Sequence, residues 1–354
     1  MPPYPGFNSF MTMKTMQIPC RLCRHLTWIT ILLVAGSCGT RQEASQVSLH
    51  GMVFGTYYSV IYYDAASRDF QQDIDSLFAA FNQSLSYYQE NSLVSRINRN
   101  ESDRVDDWFR TVYLRAESIS RETRGAFDAT VSPLVNAWGF GFSERAVMDQ
   151  GKVDSLMAFV GHDRVRLEGD RIVKDDPRVQ FDFNAIAKGY AADVVGGFLE
   201  SEGITTYLVE IGGDLLARGL KPDGSAWKVG LERPAESMDA PQQWDYYVEV
   251  ADVGLATSGN YRRYYEDRGQ RYSHTISPQT GYPVDHSLLS ASVFAPDAMS
   301  ADAYATAFMV MGPDAALRFV EERDDLEAFF VYAAGENGYE TRASSGLILK
   351  RRPR

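Results

Sequence analysis

From Ala298 to Gly312 the chain reads AMSADAYATAFMVMG, a helix built of small residues directly after an apolar strand. A core helix normally shows a broad apolar stripe. This one carries an acid and a hydroxyl, Asp302 and Thr306, four residues apart and therefore on one face. Upstream stand His274 and a tight turn, Ser277-Pro278-Gln279-Thr280-Gly281. Two oxygen ligands at that spacing, near a histidine and a turn, suit a hard cation and a phosphate presented to it. The same two residues also read as an acid favoured by the helix dipole and a threonine back-bonded to a carbonyl. This stretch alone leaves both readings open.

The wider composition narrows the choice. At 354 residues the chain is long enough for one large domain or two ordinary ones, with 45% hydrophobic and 23% charged residues. A net charge of −12 argues against a nucleic-acid binder, which needs a basic footprint. Lys350-Arg351-Arg352 is the one basic cluster, at the end of a tail expected over residues 346–354. Residues 1–37 hold Lys14, Arg21 and Arg24 without an acid, then a short apolar run and small residues up to Cys38. That is the pattern of a secretory signal, too short to span a membrane comfortably. Cys38 closes what resembles a bacterial lipobox, with a tether expected over 38–48. The other two cysteines, Cys20 and Cys23, lie inside the leader, so the body has no thiol for disulfides, zinc thiolates or nucleophilic catalysis.

Along the body, His50–Tyr63 reads as a strand or hairpin arm. Residues 70–85 and 106–123 read as helices, 165–173 as a hairpin, and Val179–Phe183 as a strand by alternation. A helix follows from the Ala185–Lys188 region to Glu200, with Lys188 in its first turn. A cation there is disfavoured unless it faces an anion, so Lys188 is a candidate phosphate contact, although the chain has no Walker or G-x-G-x-x-G pattern. Tyr207–Gly219 reads as two strands about a Gly-Gly bend, with Glu210 inside the first and in need of a partner. Strands and helices alternate without regular βαβ spacing, which indicates an α+β fold and one domain over residues 49–345.

Eight blocks, in order, resemble the ApbE family of flavin transferases over nearly all of residues 50–340. They include Gly125-Ala-Phe-Asp128-Ala-Thr130, Asp182–Asp193 with its Ala-Ile-Ala-Lys-Gly-Tyr centre, Glu210-Ile-Gly-Gly-Asp214, Ala256-Thr257-Ser258-Gly-Asn-Tyr261, Arg271-Tyr-Ser-His274 and Ala301-Asp302-Ala-x-Ala-Thr306. The resemblance implies an α+β, ApbE-like fold of two sheet-bearing lobes with packed helices and a flavin cleft between them. It further implies Mg²⁺-dependent transfer of FMN from FAD to a Thr or Ser hydroxyl of an exported acceptor protein, with release of AMP. FAD hydrolysis to FMN and AMP, or FAD binding without chemistry in a lipoprotein, are the alternatives. By the same resemblance the metal takes the Ala185 main-chain carbonyl, Asp302 and Thr306. His274 and Lys188 are the candidate catalytic residues. Tyr58, Asp128, Asp182, Lys188, Glu210, Thr257 and Ser258 are candidate FAD contacts. The expected location is the bacterial cell envelope, facing the periplasm, most simply at the inner membrane through a lipid on Cys38.

Overall fold

The small-residue helix is the piece on which the other elements are laid. The structure, a computed structural model, describes residues 44–141, 145–233, 243–260, 264–267, 270–335 and 338–352, all within the unit Ala44–Arg354. The leader and Cys38 lie outside the described residues.

In chain order, β1 (Ser45–Val53) and β2 (Thr56–Asp64) form a hairpin. Five helices follow: α1 (Gln71–Leu85), α2 (Leu93–Asn98), α3 (Asp107–Glu122), α4 (Ser132–Ala137) and α5 (Gln150–Met157). The small hairpin β3 (Val165–Glu168) and β4 (Arg171–Lys174) leads to α6 (Ala187–Ser201). Then come β5 (Tyr207–Ile211), β6 (Asp214–Arg218), β7 (Trp227–Glu232), β8 (Trp244–Val250), β9 (Val253–Gly259), β10 (Tyr264–Asp267), β11 (Gln270–Ser273) and β12 (Leu288–Ala295). The central helix α7 (Ala298–Met311) is followed by α8 (Pro313–Glu321), β13 (Glu327–Ala334), β14 (Gly338–Ala343) and β15 (Lys350–Arg351).

Eight strands make one antiparallel sheet in the order β1-β2-β5-β6-β9-β12-β13-β14. Side chains alternate across it, as the period of two requires. Tyr58, Val60 and Tyr62 of β2, Val209 and Ile211 of β5, and Ala291 and Val293 of β12 face the helices in the main core. Leu215, Leu255, Phe294 and Phe329 face the other way, onto Trp227, Leu231 and Val248 of a three-stranded sheet ordered β15-β8-β7. The two sheet-bearing parts are thus a large sheet and a small one stacked on its far face, within an α+β fold.

Local signals set the helix ends. Asp106 caps α3 by accepting the Phe109 amide at 2.8 Å, an interaction worth about 1 kcal/mol. Phe109, Val112, Ala116 and Ile119 then recur at helical spacing and are buried. In α7 ten residues are buried, among them Asp302, so this helix has no solvent face of ordinary width. Small residues make that possible. Gly189 of α6 and Gly254 of β9 come so close to the start of α7 that a Cβ on either would collide with the backbone around Ala298.

Three expectations change. Val179–Phe183 is not a strand: it makes only a single bridge, Gln180 with Val131. The Asn98 side chain takes the place of a partner strand, accepting from the Phe181 amide at 2.7 Å and donating to its carbonyl at 2.8 Å. The expected tether already begins β1 at Ser45. The expected basic tail is not loose either, because β15 pairs with β8 and Leu347 and Leu349 pack on the second core. Among the described residues no helix is long and apolar enough to cross a membrane.

Candidate active site

A cleft of about 710 Å³ opens at the end of the large sheet, beneath the β1–β2 turn (Phe54, Gly55, Thr56) and the β5–β6 turn (Gly212). Its remaining wall comes from the end of α1 with the following loop, including Ser86 and Tyr88, and from Asn184, Ala187 and Lys188 at the start of α6. Gly212 and Gly213 both have positive φ, 57° and 97°, which lets the hairpin turn tightly and bring Asp214 back under the helix start.

Lys188 extends from the first turn of α6, about a third of its side chain exposed, and its ammonium forms an ion pair with the Asp214 carboxylate, which is 2% exposed. Asp302, on the adjoining face of α7, accepts the Gly189 amide at 3.2 Å. Burial pushes the Asp302 carboxyl up to about 7; the Asp214 carboxylate beside it adds to the rise and the Lys188 ammonium opposes it. One turn further along α7, the Thr306 hydroxyl is 3.0 Å from that of Ser258 on β9. Lys188, Ser258, Asp302 and Thr306, from three separate parts of the sequence, therefore meet on the helix side of the sheet.

The Gly189 amide lies in the first turn of α6, where the helix itself offers no acceptor, and Ala185 stands outside the helix, before the N-cap Ile186. The amide is turned to Asp302, and among the described hydrogen bonds none reaches the Ala185 carbonyl. Nor is there, among the described residues, a group of three or more His, Cys, Asp or Glu side chains that could hold a metal. What the site offers a cation is a mixed oxygen set: carboxylate, hydroxyl and main-chain carbonyl.

The other expected residues fall elsewhere. Tyr58 does not line this cleft. Strand parity turns it into the core, where its hydroxyl donates to Asp75 at 2.5 Å and accepts from Gln71, and burial first, then Asp75, raises it to about 12. Its neighbour Tyr57 points to the opposite face and donates to Glu210 at 2.7 Å. Thr257 also lies on that far face, 2.8 Å from Ser292 on β12, so it is parted from Ser258 by the sheet itself. Asp128 spends both oxygens on its own chain, accepting from the Thr130 amide at 2.8 Å and hydroxyl at 2.6 Å and from the His162 amide at 2.7 Å. Asp182 is buried beside the cleft residue Asn184, whose amide it accepts at 2.8 Å, and burial pushes its carboxyl up to about 6. His274 follows β11, half-buried, with the Phe140 ring 6.4 Å away. The turn after it is anchored where Trp138 donates to the Gly281 carbonyl at 2.8 Å.

Asp214 is the residue that sequence reasoning passed over. The signal was present: it follows the Gly-Gly bend and shares parity with Leu216, which faces the helices.

A sequence model of the ApbE family matches residues 54–330. The FAD:protein FMN transferase of Vibrio cholerae serotype O1 is 36% identical over 327 residues, covering 90% of this chain and 96% of that protein. That of Haemophilus influenzae is 33% identical over 335 residues, covering 90% and 95%. Among solved structures, the flavin transferase ApbE from Vibrio cholerae superposes with a TM-score of 0.76 at 35% identity, covering 85% of this chain and 98% of that one. The apo form of the Pseudomonas stutzeri flavinyl transferase ApbE also gives 0.76, at 34% identity and 86% and 96% coverage. A match of that extent, at that identity, has one meaning: the chain belongs to the ApbE family.

Proposed function

We propose that this protein transfers FMN from FAD to a Thr or Ser hydroxyl of an acceptor protein, with Mg²⁺ held between α6 and α7. One observation carries the reading: Lys188, Asp214 and Asp302 cluster at the cleft in a chain whose relatives are named FAD:protein FMN transferase. Asp302, Thr306 and the Ala185 carbonyl form the oxygen-only set that a hard cation prefers. A buried acid held up at about 7, with a main-chain carbonyl that accepts no described hydrogen bond, is a site a cation would settle. When bound there, Mg²⁺ supplies the Lewis acid that neutralises charge building on the pyrophosphate.

The protein's own groups do the rest. Lys188, in the first turn of α6, offers the phosphates a cation that Asp214 keeps in place. His274 takes the proton of the acceptor hydroxyl as its oxygen bonds to the FMN-side phosphorus. The bond from that phosphorus to the bridging oxygen breaks, and AMP departs with that oxygen. Asp182 and Ser258 contact FAD from the helix side, and Glu210 and Thr257 from the far side of the sheet end. The support is position: Asp182 adjoins Asn184 and Glu210 lies two residues before Gly212, both in the cleft wall. Tyr58 and Asp128 are left out, their polar atoms being engaged within the chain.

The enzyme incubated with FAD, Mg²⁺ and an acceptor domain is expected to release AMP and leave fluorescent flavin on the acceptor after denaturation. Asp302→Ala lowers transfer by on the order of 100-fold or more, the scale of lost transition-state charge stabilisation. AMP release that no acceptor accelerates would make the protein a hydrolase, and FAD left intact would make it a binder. The reading also includes a lipid on Cys38 that holds the domain at the periplasmic side of a bacterial inner membrane, supported by the leader's basic, apolar and small-residue order. Cys38→Ser should then shift the protein from the membrane to the soluble fraction; an unchanged distribution would contradict the anchor.

A further inference from the structure

We propose that Asp193 is a positioning residue that fixes the metal-ligand set by clamping α7 onto α6, an inference that rests on the metal reading above. The first turn of any helix has free amides, and local side chains or water normally satisfy them. In α7 the local cap, Asp297, takes only the Ser300 amide, at 2.7 Å. The amides of Ala298 and Met299 go to the two carboxylate oxygens of Asp193, at 2.9 and 2.8 Å, from 105 and 106 residues upstream. A fork with one bond to each oxygen fixes both the position and the rotation of α7 against α6, which a single bond cannot do.

The clamp is costly. Asp193 is half-buried next to a second acid, Asp297, where a solvated cap would serve the helix alone as well. Its value lies in register. Along α6, Asp193 and Gly189 stand four residues apart on one face, and Ala185 lies just before the helix, beyond the N-cap Ile186. Counting forward along α7 in steps of four, Ala298 is followed by Asp302 and then Thr306. The first rungs meet through the fork and the second through the Gly189 amide on Asp302. The two observed rungs hold the α6 start, with Ala185 just ahead of it, against the face of α7 that carries Asp302 and Thr306. Loosening the first rung moves Asp302 and Thr306 together relative to Ala185. The close approach of Gly189 to the Ala298 carbonyl leaves no slack to absorb that movement.

The test is Mn²⁺ binding to the full chain, followed by the electron-spin signal of the free ion. Asp193→Asn keeps the shape of the side chain but turns an amide donor toward one of the helix amides. It should weaken Mn²⁺ binding by about tenfold or more, the usual effect of removing an outer partner of a metal ligand. Asp297→Asn, which alters only the local cap, should leave the dissociation constant within about twofold. If Asp193→Asn does not fold, Asp193→Glu retains the charge but cannot reach both amides from the same place, and the same weakening is expected. Equal losses of thermal stability in the 193 and 297 variants, with Mn²⁺ binding unchanged, would overturn the clamp. Failure of the wild type to bind Mn²⁺, or undiminished binding by Asp302→Ala, would instead overturn the metal set on which it rests.

Discussion

At the scale of single residues, Asp182 shows what burial does to an acid that is only partly compensated. The Asn184 amide at 2.8 Å offsets some of the lost hydration, and the carboxyl still rises to about 6. The folded state therefore holds this proton more tightly than the unfolded chain. Its contribution is complete below about pH 4 and is lost as pH rises through about 6, a change of roughly 3 kcal/mol at most. Asp182→Asn, which cannot ionise, is expected to reduce the fall in Tm between pH 5 and pH 8. Thermal melts at both pH values check this, and a wild-type pH profile in the variant would contradict it. Asp193, also raised by burial and by Asp297, acts in the same direction and keeps part of the slope. Lys188, Asp302 and Thr306 were legible because each departs from what its segment needs for packing alone. Motif matching does not show that Tyr58 faces the core or that Thr257 and Ser258 part company, because adjacent strand residues face opposite sides of a sheet, whatever their block.

Between elements, the contact of α6 with α7 sets the tolerance for substitution. Two glycines of α6 make the contrast. Gly197 has open space where a Cβ would go, so Gly197→Ala should stabilise by about 0.5–1 kcal/mol through helix propensity and a less flexible unfolded chain. In Gly189→Ala the same gain is outweighed, because the new methyl meets the Ala298 backbone, which no side-chain rotation can clear. The cost is about 3 kcal/mol or more. Opposite shifts of Tm in the two variants are the expected result. Hairpins and long helices were readable from periodicity, and the long helices keep their expected bounds to within a residue or two, whereas the first hairpin starts five residues early, at Ser45. Val179–Phe183 misled because Phe181 and Phe183 stack, 5.4 Å apart, and pack with Phe109, so their spacing mimics a strand face.

For the molecule as a whole, the last described residues belong to the fold. β15 completes the small sheet, Lys350 pairs with Glu249 at 2.5 Å, and Leu347 and Leu349 cover the second core. Deleting residues 346–354 should cost about 2 kcal/mol from the two half-buried leucines and lower Tm by roughly 4 °C, whereas a solvated tail could be removed without effect. The basic cluster looked like such a tail because charge describes side chains, and the ordering here comes from the backbone. The α+β class was legible from irregular alternation. Sheet order was not, since β9 lies between β6 and β12 with β7 and β8 leaving to build another sheet, an excursion that no local pattern records.

The lateness of α7 in the chain has a kinetic consequence. The helix that fills the centre of the core spans residues 298–311, and the strands beyond β12, β13 and β14, come later still. During synthesis some three hundred residues emerge before the helix that covers the β9–β12 part of the apolar sheet face. Contacts of such long sequence separation form slowly, and the uncovered face favours aggregation meanwhile. The nascent chain is thus incompletely packed and in need of escort until α7 and the strands after it are made. A polypeptide destined to be threaded through a membrane before it folds would gain from that delay.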